Sequence, residues 1–119
     1  MKANSSKSKL KKVYVAYRYN DTDANQVLSN IGVAHKVAFD FIKEGYIPFI
    51  PHTDCLLAIM FGKSIPLKFY YEYSIEFLKV CDIFCLVEDG KPLSSGVQTE
   101  LELAQKLGIP IITRKAMKV

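Results

Sequence analysis

A short polar segment in the last third of the chain carries the residues best suited to chemistry. Ser94, Ser95 and Gly96 follow a loop, and Glu100 stands four residues after the glycine. A helix that begins here presents free backbone N–H groups, which favour an anion such as a phosphate. Gly96 lets the backbone approach a ligand closely, and either serine adds a hydroxyl donor. The segment predicts an anion-binding helix start with a carboxylate in its first turn.

The same spacing also has a purely structural interpretation. Ser95 and Gln98 have the spacing of a capping box, in which Ser95 would be the N-cap. Glu100 would then be a solvated acid whose charge suits the positive end of the helix dipole. Spacing alone leaves both interpretations open.

Three further candidates stand where predicted strands end. Tyr17 could stack on a base, and Arg18 could bind a phosphate bidentately. His52 follows Pro51 and could face a ligand at the same edge. Each has an ordinary alternative: packing for Tyr17, an exposed turn for Arg18, and a surface or capping role for His52. An aromatic cluster on one later helix indicates packing rather than a base-stacking platform; its members are Phe69, Tyr70, Tyr71 and Tyr73.

Alternating elements must position these residues. Short apolar runs at 13–17, 46–50, 83–87 and 109–113 predict buried strands. Apolar residues at steps of three and four predict helices that end near Gly45, begin near Pro66, and end near Gly108. The segment 54–61 is apolar but short, and is either a helical turn or a lid.

This alternation predicts an α/β fold with helices on both faces of a parallel sheet. We expect a doubly wound, Rossmann- or flavodoxin-like sheet of four to five strands, in the order 2-1-3-4. Ligands bind beyond the carboxyl ends of the strands in such sheets. Here those ends precede Arg18, His52, the loop before Gly96, and Arg114.

Composition narrows the classes of function. The net charge is +4, but five lysines lie within the first twelve residues, and the rest of the chain has eleven basic and twelve acidic residues. The near-neutral remainder does not predict a nucleic-acid partner. We expect residues 1–12 to be a disordered basic leader and 13–119 to be one domain. No apolar run is long enough for a signal peptide or membrane span, so we expect a cytoplasmic protein.

The cysteines and histidines do not suggest a metal site or a disulfide framework. Three cysteines form no regular spacing, and Cys81 and Cys85 lie in apolar sequence, which predicts burial. A metal would need more ligands than these offer. We therefore expect neither a metal nor an organic cofactor.

The order of these segments resembles the nucleoside 2-deoxyribosyltransferase-like superfamily, which includes 2'-deoxynucleoside 5'-phosphate N-hydrolases and small uncharacterised relatives. The pattern S-x-G-x-x-x-E is matched by Ser94, Gly96 and Glu100. The resemblance runs from about residue 13 to residue 113. It extends to the first strand with its polar loop, the second strand and the third strand, which are VYVAYRYND, GYIPFIPH and CDIFCLV.

The resemblance implies roles for individual residues. Glu100 would be the nucleophile that attacks the anomeric carbon, and Ser94 and Gly96 would contact the 5' end of the sugar or its phosphate. Deoxyribosyltransferases usually carry aspartate where Ser94 stands, which favours a 5'-monophosphate over a free nucleoside. The family commonly has another carboxylate on the helix before the third strand, where Glu72 and Glu76 are the candidates.

The resemblance also sets the expected activity and its rivals. It implies cleavage or transfer at the N-glycosidic bond of a nucleoside or nucleoside 5'-monophosphate, in a homodimer or larger homo-oligomer. The alternatives are a nucleotide-binding module of the same fold without catalysis, and an interaction protein that has kept only the fold. Asp82 lies at the opposite end of the third strand and predicts a structural role.

Overall fold

A computed structural model describes residues 10–117, without the side chains of residues 53, 54 and 63. The predicted leader thus lies largely outside the described residues. The first strand starts at Lys12, one residue before the predicted domain boundary. No helix within 10–117 has both the length and the apolar character that crossing a bilayer requires.

The described residues form one four-stranded parallel sheet in the order β2-β1-β3-β4. Its strands are β1 (Lys12–Ala16), β2 (Ile47–Phe49), β3 (Ile83–Glu88) and β4 (Ile111–Lys115). Both the α/β class and the strand order agree with the sequence prediction. β4 begins two residues later than predicted, so Arg114 lies within the strand rather than after it.

The long helices cover the two faces of the sheet. They are α1 (Ala24–Lys43), α3 (Leu67–Lys79) and α4 (Ser95–Lys106). One apolar cluster joins α1 to side chains such as Val13 and Val15, and a second joins α3 and α4 to Tyr14 and Ala16. Because successive strand residues point to opposite faces, β1 supplies both clusters and is buried on both sides.

The ambiguous apolar segment is helical. A 3₁₀ turn at Pro51–Asp54 leads into α2 (Cys55–Phe61), and a second turn at Gly62–Ser64 precedes α3. None of the described α2 side chains is buried. The helical conformation is therefore confirmed for this segment, and its role as a lid stays a prediction.

The helix ends follow the glycines that the sequence indicated. Gly45 after α1 and Gly108 after α4 have φ of 94° and 74°, a region that favours glycine. The capping-box prediction was wrong by one residue: Ser94 is the N-cap of α4, and its Oγ accepts the Val97 N–H at 3.3 Å. Gln98 instead bonds outward to Glu102.

Several apolar residues that lie at the helical steps of three and four, and were therefore expected to face inward, are exposed. Ile42 on α1, Leu107 after α4, and Phe77 and Val80 around the end of α3 are more than 40% exposed. α3 packs beside β2, an edge strand, where Phe77 stacks on Phe49 at 4.4 Å between ring centroids. A helix beside an edge strand is covered by the sheet on one side only, so the apolar stripe of α3 is partly exposed.

The remaining predictions for the cysteines and Asp82 are confirmed. Cys81 and Cys85 are buried free thiols, and burial raises the pKa of each. Asp82 accepts the backbone N–H of Lys12 at 2.8 Å, which ties the start of β1 to the start of β3. Within the described residues, no three His, Cys, Asp or Glu side chains cluster as a metal site requires.

Candidate functional site

A cavity of about 550 Å³ opens beyond the carboxyl ends of β1, β2 and β3. The connections from the neighbouring strands β1 and β3 leave the sheet in opposite directions at this edge. Its size suits a small organic molecule. The loop after β1 contributes Tyr17, Tyr19 and Asn20 to the lining. α3 contributes a second wall, which includes Tyr70, Tyr71 and Ser74.

The start of α4 forms a third wall of the cavity. Ser94, Ser95 and Gly96 all line it, so the predicted anion-binding segment faces the open space. A Cβ added at Gly96 would meet nothing within 4 Å. The space beside this glycine is therefore available to a ligand that approaches the backbone N–H groups of the helix start.

Glu100 lies one turn further along α4 and also lines the cavity. The Tyr14 hydroxyl donates a hydrogen bond to Glu100 Oε2 at 2.6 Å. Burial raises the pKa of the Glu100 carboxyl to about 7, and the hydrogen bond from Tyr14 acts in the opposite direction. The solvated alternative for Glu100 does not describe this side chain, which is held in position and largely withdrawn from water.

Tyr14 was missed by the sequence analysis because it stands in the middle of an apolar strand. It is fully buried, and burial together with the nearby Glu100 charge raises the pKa of its phenol, which stays protonated. The Ser74 hydroxyl acts on that pKa in the opposite direction. The signal that could have found it is a hydroxyl within an otherwise apolar buried run, since buried hydroxyls need a partner.

His52 lines the cavity, and its ring is buried. It is 4% exposed, and its Nε2 lies 2.9 Å from the Tyr17 carbonyl oxygen. The carbonyl can only accept, so Nε2 carries the proton and Nδ1 is an acceptor. Burial lowers the pKa of His52 to about 4, which keeps the ring neutral at pH 7.

Two buried polar atoms of cavity-lining residues have no hydrogen-bond partner among the described atoms. They are His52 Nδ1 and the Tyr70 hydroxyl. Buried polar groups are nearly always paired, so both atoms call for a partner. Polar groups of a ligand in the cavity could pair with both atoms.

Arg18 does not line the cavity. Its Nε and Nη2 donate to the two Asp89 oxygens at 2.8 and 3.1 Å, and Nη2 also donates to the Pro92 carbonyl at 2.9 Å. Asp89 accepts two more hydrogen bonds, from the Tyr17 hydroxyl and the Lys91 N–H. Arg18 therefore ties the loop after β1 to the loop before α4, a role that its isolated turn position did not reveal.

The two predicted second carboxylates also lie outside the cavity lining. Glu72 pairs with Lys68 at 3.7 Å, and Glu76 pairs with Lys79 at 3.0 Å, on the exposed side of α3. The helix presents Ser74 to the cavity instead. A side chain two positions away on a helix lies about 200° around its axis, which explains why neighbours of Ser74 point elsewhere.

Comparison with known proteins gives a family. Residues 11–114 match the family described as Domain of unknown function (DUF7768). The chain belongs to this family. The DUF7768 match includes nearly the whole sheet and every predicted site residue. A comparison of the DUF7768 chain with curated proteins by sequence gave no match.

The DUF7768 chain also resembles a solved structure, a 2-deoxyribosyltransferase from the psychrotolerant bacterium Bacillus psychrosaccharolyticus. The TM-score is 0.63 at 22% sequence identity, over 87% of this chain and 72% of that one. The likeness shows that the two chains share a fold. The resemblance found in the sequence is thus supported for the architecture of the DUF7768 domain.

Proposed function

We propose that this protein cleaves or transfers the N-glycosidic bond of a nucleoside or nucleoside 5'-monophosphate, with Glu100 as the nucleophile. The observation that carries the proposal is the Glu100 carboxylate in the cavity, oriented by the Tyr14 hydroxyl at 2.6 Å. An oriented carboxylate can attack an anomeric carbon or stabilise the oxocarbenium-like state from which the base departs. The shared fold of the 2-deoxyribosyltransferase supports this choice of chemistry.

The start of α4 gives the substrate its orientation in this proposal. The sugar 5' end, with or without a phosphate, would lie against Ser94, Ser95 and Gly96, which line the cavity beside Glu100. Backbone N–H groups at a helix start hold an anion without a cationic side chain. Tyr17 and His52 would contact the remainder of the ligand from the opposite walls.

Water that attacks the glycosyl-enzyme ester would complete hydrolysis, whereas a second base would complete transfer. A raised pKa fits the first step of either outcome, because a less solvated Glu100 carboxylate is a stronger nucleophile than an exposed one. The two outcomes differ only in which nucleophile enters after the first base departs. The experiment must therefore supply an acceptor base in one arm.

The decisive experiment measures free base released from ribo- and deoxyribonucleosides and their 5'-monophosphates, with and without an acceptor base. We expect release by the wild type and a loss of at least ~1000-fold in Glu100→Gln. Glu102→Gln is the matched control, since Glu102 lies on the same helix, is exposed, and accepts a hydrogen bond from Gln98 rather than facing the cavity. Equal release of free base by the wild type and Glu100→Gln would refute the assignment of Glu100 as the nucleophile.

A nucleotide-binding module is the second candidate. It is favoured by the lack of a second carboxylate among the described residues that line the cavity. In that case a panel nucleotide would bind, binding would survive Glu100→Gln, and no base would be released. Calorimetric titration of both variants with the same panel separates the module from the enzyme.

A further inference from the structure

The ionised side chains of the cavity, among the residues that the structure describes, have only negative charge. Among the described residues that line it, Glu100 is the single acid, and lysine and arginine do not occur. His52 is buried and neutral, and Arg18 is bound to Asp89 outside the lining. With Glu100 ionised, the described lining has one negative charge and no positive charge.

The charges of the lining limit how a base can depart from an N-glycosidic bond. A neutral base leaves an N-glycosidic bond efficiently only when an acid protonates it, and enzymes that use a carboxylate nucleophile usually place a second carboxyl group nearby. α3 presents Ser74 here, while Glu72 and Glu76 pair with lysines of their own helix. A phenol is a weak acid at neutral pH, and burial raises the pKa of the Tyr17 phenol further.

Aromatic rings line the cavity beside the Glu100 carboxylate. Tyr17, Tyr70 and Tyr71 line the same cavity from two sides. The face of an aromatic ring attracts a cation, and a buried carboxylate attracts it more strongly. A cavity with these groups, and without a cation among its described lining residues, is complementary to a positively charged ring.

We propose that the substrate is an N-glycoside whose base itself carries a positive charge, such as an N-ribosylated pyridinium or an N7-alkylated purine. The inference rests on the proposed function and names its substrate class. Such a base departs as a neutral molecule and requires no proton from the protein. One carboxylate is then sufficient for the reaction.

The bond changes balance without another reactant besides water. A Glu100 oxygen bonds to C1' while the C1'–N bond breaks, and the electron pair of that bond neutralises the ring nitrogen. Water then attacks C1', Glu100 departs as a carboxylate, and the proton of the water passes to solvent. The products are the neutral base, the free sugar and one proton.

The test compares cationic substrates with neutral counterparts of similar shape. The probes are nicotinamide riboside against its neutral dihydro form, and 7-methylguanosine against guanosine, each with and without a 5'-phosphate. Base release at neutral pH is divided by the uncatalysed rate of the same compound, because cationic nucleosides are intrinsically more labile. Glu100→Gln and Glu102→Gln are measured in parallel.

We expect the rate enhancement for each cationic probe to exceed that of its neutral counterpart by at least ~100-fold, the size of a missing general acid. The enhancement should disappear in Glu100→Gln and persist in Glu102→Gln. Equal or greater enhancement for the neutral probes overturns the substrate class while leaving the N-glycosidic activity in place. Release from neither class overturns the activity itself and the inference with it.

Discussion

At the scale of single residues, Glu100 shows how a functional group can oppose stability. Its carboxyl has an ordinary pKa of 4.5, and burial raises this to about 7 in the folded protein. As pH rises, Glu100 ionises first in the unfolded chain. The free energy of unfolding therefore falls between pH 4.5 and about pH 7, and the full loss of stability is reached above pH 7. Below the lower value both states are protonated and the loss is absent.

Glu100→Gln should therefore stabilise the protein in a pH-dependent way. We expect its free energy of unfolding to exceed that of the wild type by about 2–3 kcal/mol at pH 8 and by little at pH 4.5, because glutamine never ionises. Urea unfolding at the two pH values measures the difference. Glu102→Gln should show no such pH dependence, and an identical gain at both pH values would contradict the raised pKa.

The buried hydroxyl of Tyr70 is a second group whose role a single substitution can test. Its hydroxyl is buried without a described partner and its ring lines the cavity. Tyr70→Phe removes a buried polar atom that has no partner among the described residues, so unfolding should require the same free energy or up to about 1 kcal/mol more. If the hydroxyl serves a ligand, KM or Kd should rise about 5- to 20-fold in the same variant. A stable variant with unchanged ligand affinity would show that the hydroxyl serves no ligand.

At the scale of elements, the start of α4 is the feature that binding should depend on most. Gly96 has an ordinary negative φ and open space where a Cβ would stand. Gly96→Ala should fold normally, with up to about 1 kcal/mol of added stability because alanine favours helix. The new methyl group would occupy space that a ligand needs near the helix start, so KM should rise by roughly 10-fold or more.

Gly62→Ala is the control for this variant, since Gly62 also has open space at its Cβ position but does not line the cavity. Thermal unfolding and steady-state kinetics of the two variants give both readouts. A KM for Gly96→Ala equal to that of Gly62→Ala would place the ligand away from the start of α4.

The connection between two loops is the other element-scale prediction. Asp89 accepts hydrogen bonds from Arg18, Tyr17 and the Lys91 backbone, and Arg18 first among them lowers its pKa to about 2. Asp89→Asn should reduce the free energy of unfolding at pH 7 by about 1–2 kcal/mol. Because the pKa is lowered on folding, the difference should shrink as pH falls from about 4 towards 2.

Glu72→Gln is the matched control, because it loses an exposed ion pair within one helix and should change stability by less than about 0.5 kcal/mol. Hydrogen exchange should rise in the loop between β3 and α4 of Asp89→Asn. Unchanged stability and unchanged exchange in that variant would show that the ion pair does not hold the loops together.

The elements were predictable to the extent that they depend on local pattern. Apolar runs, helical periodicity and the glycines at 45 and 108 indicated the α/β class. The strand order was an expectation for doubly wound sheets, since local pattern does not specify which strands are neighbours. The hydrogen bond between Tyr14 and Glu100 joins residues that are 86 positions apart in the sequence. Local sequence pattern cannot predict a contact over that distance. The choice between Ser94 and Ser95 as N-cap has the same origin, since neighbouring serines have equal local preference.

At the scale of the whole molecule, the predicted homo-oligomer has a physical basis in α2 and the start of α3. Leu56, Ile59, Met60 and Leu67 are each at least 67% exposed. Ala58 and Leu67 also line the cavity, so this apolar surface continues to the rim of the site. Monomeric proteins rarely leave so many large apolar side chains together in water.

We expect the protein to be a homodimer or larger at micromolar concentration, with this surface in the interface. Ile59→Lys should give a monomer, because it places an unpaired charge in the interface. Leu28→Lys is the control: Leu28 is similarly exposed but lies on α1, so this variant should keep the oligomer. Sedimentation velocity of the three proteins checks this. A monomeric wild type, or dissociation by both variants alike, would contradict the assignment. Because the surface reaches the cavity rim, loss of the oligomer should also reduce ligand affinity, which links the assembly to the site.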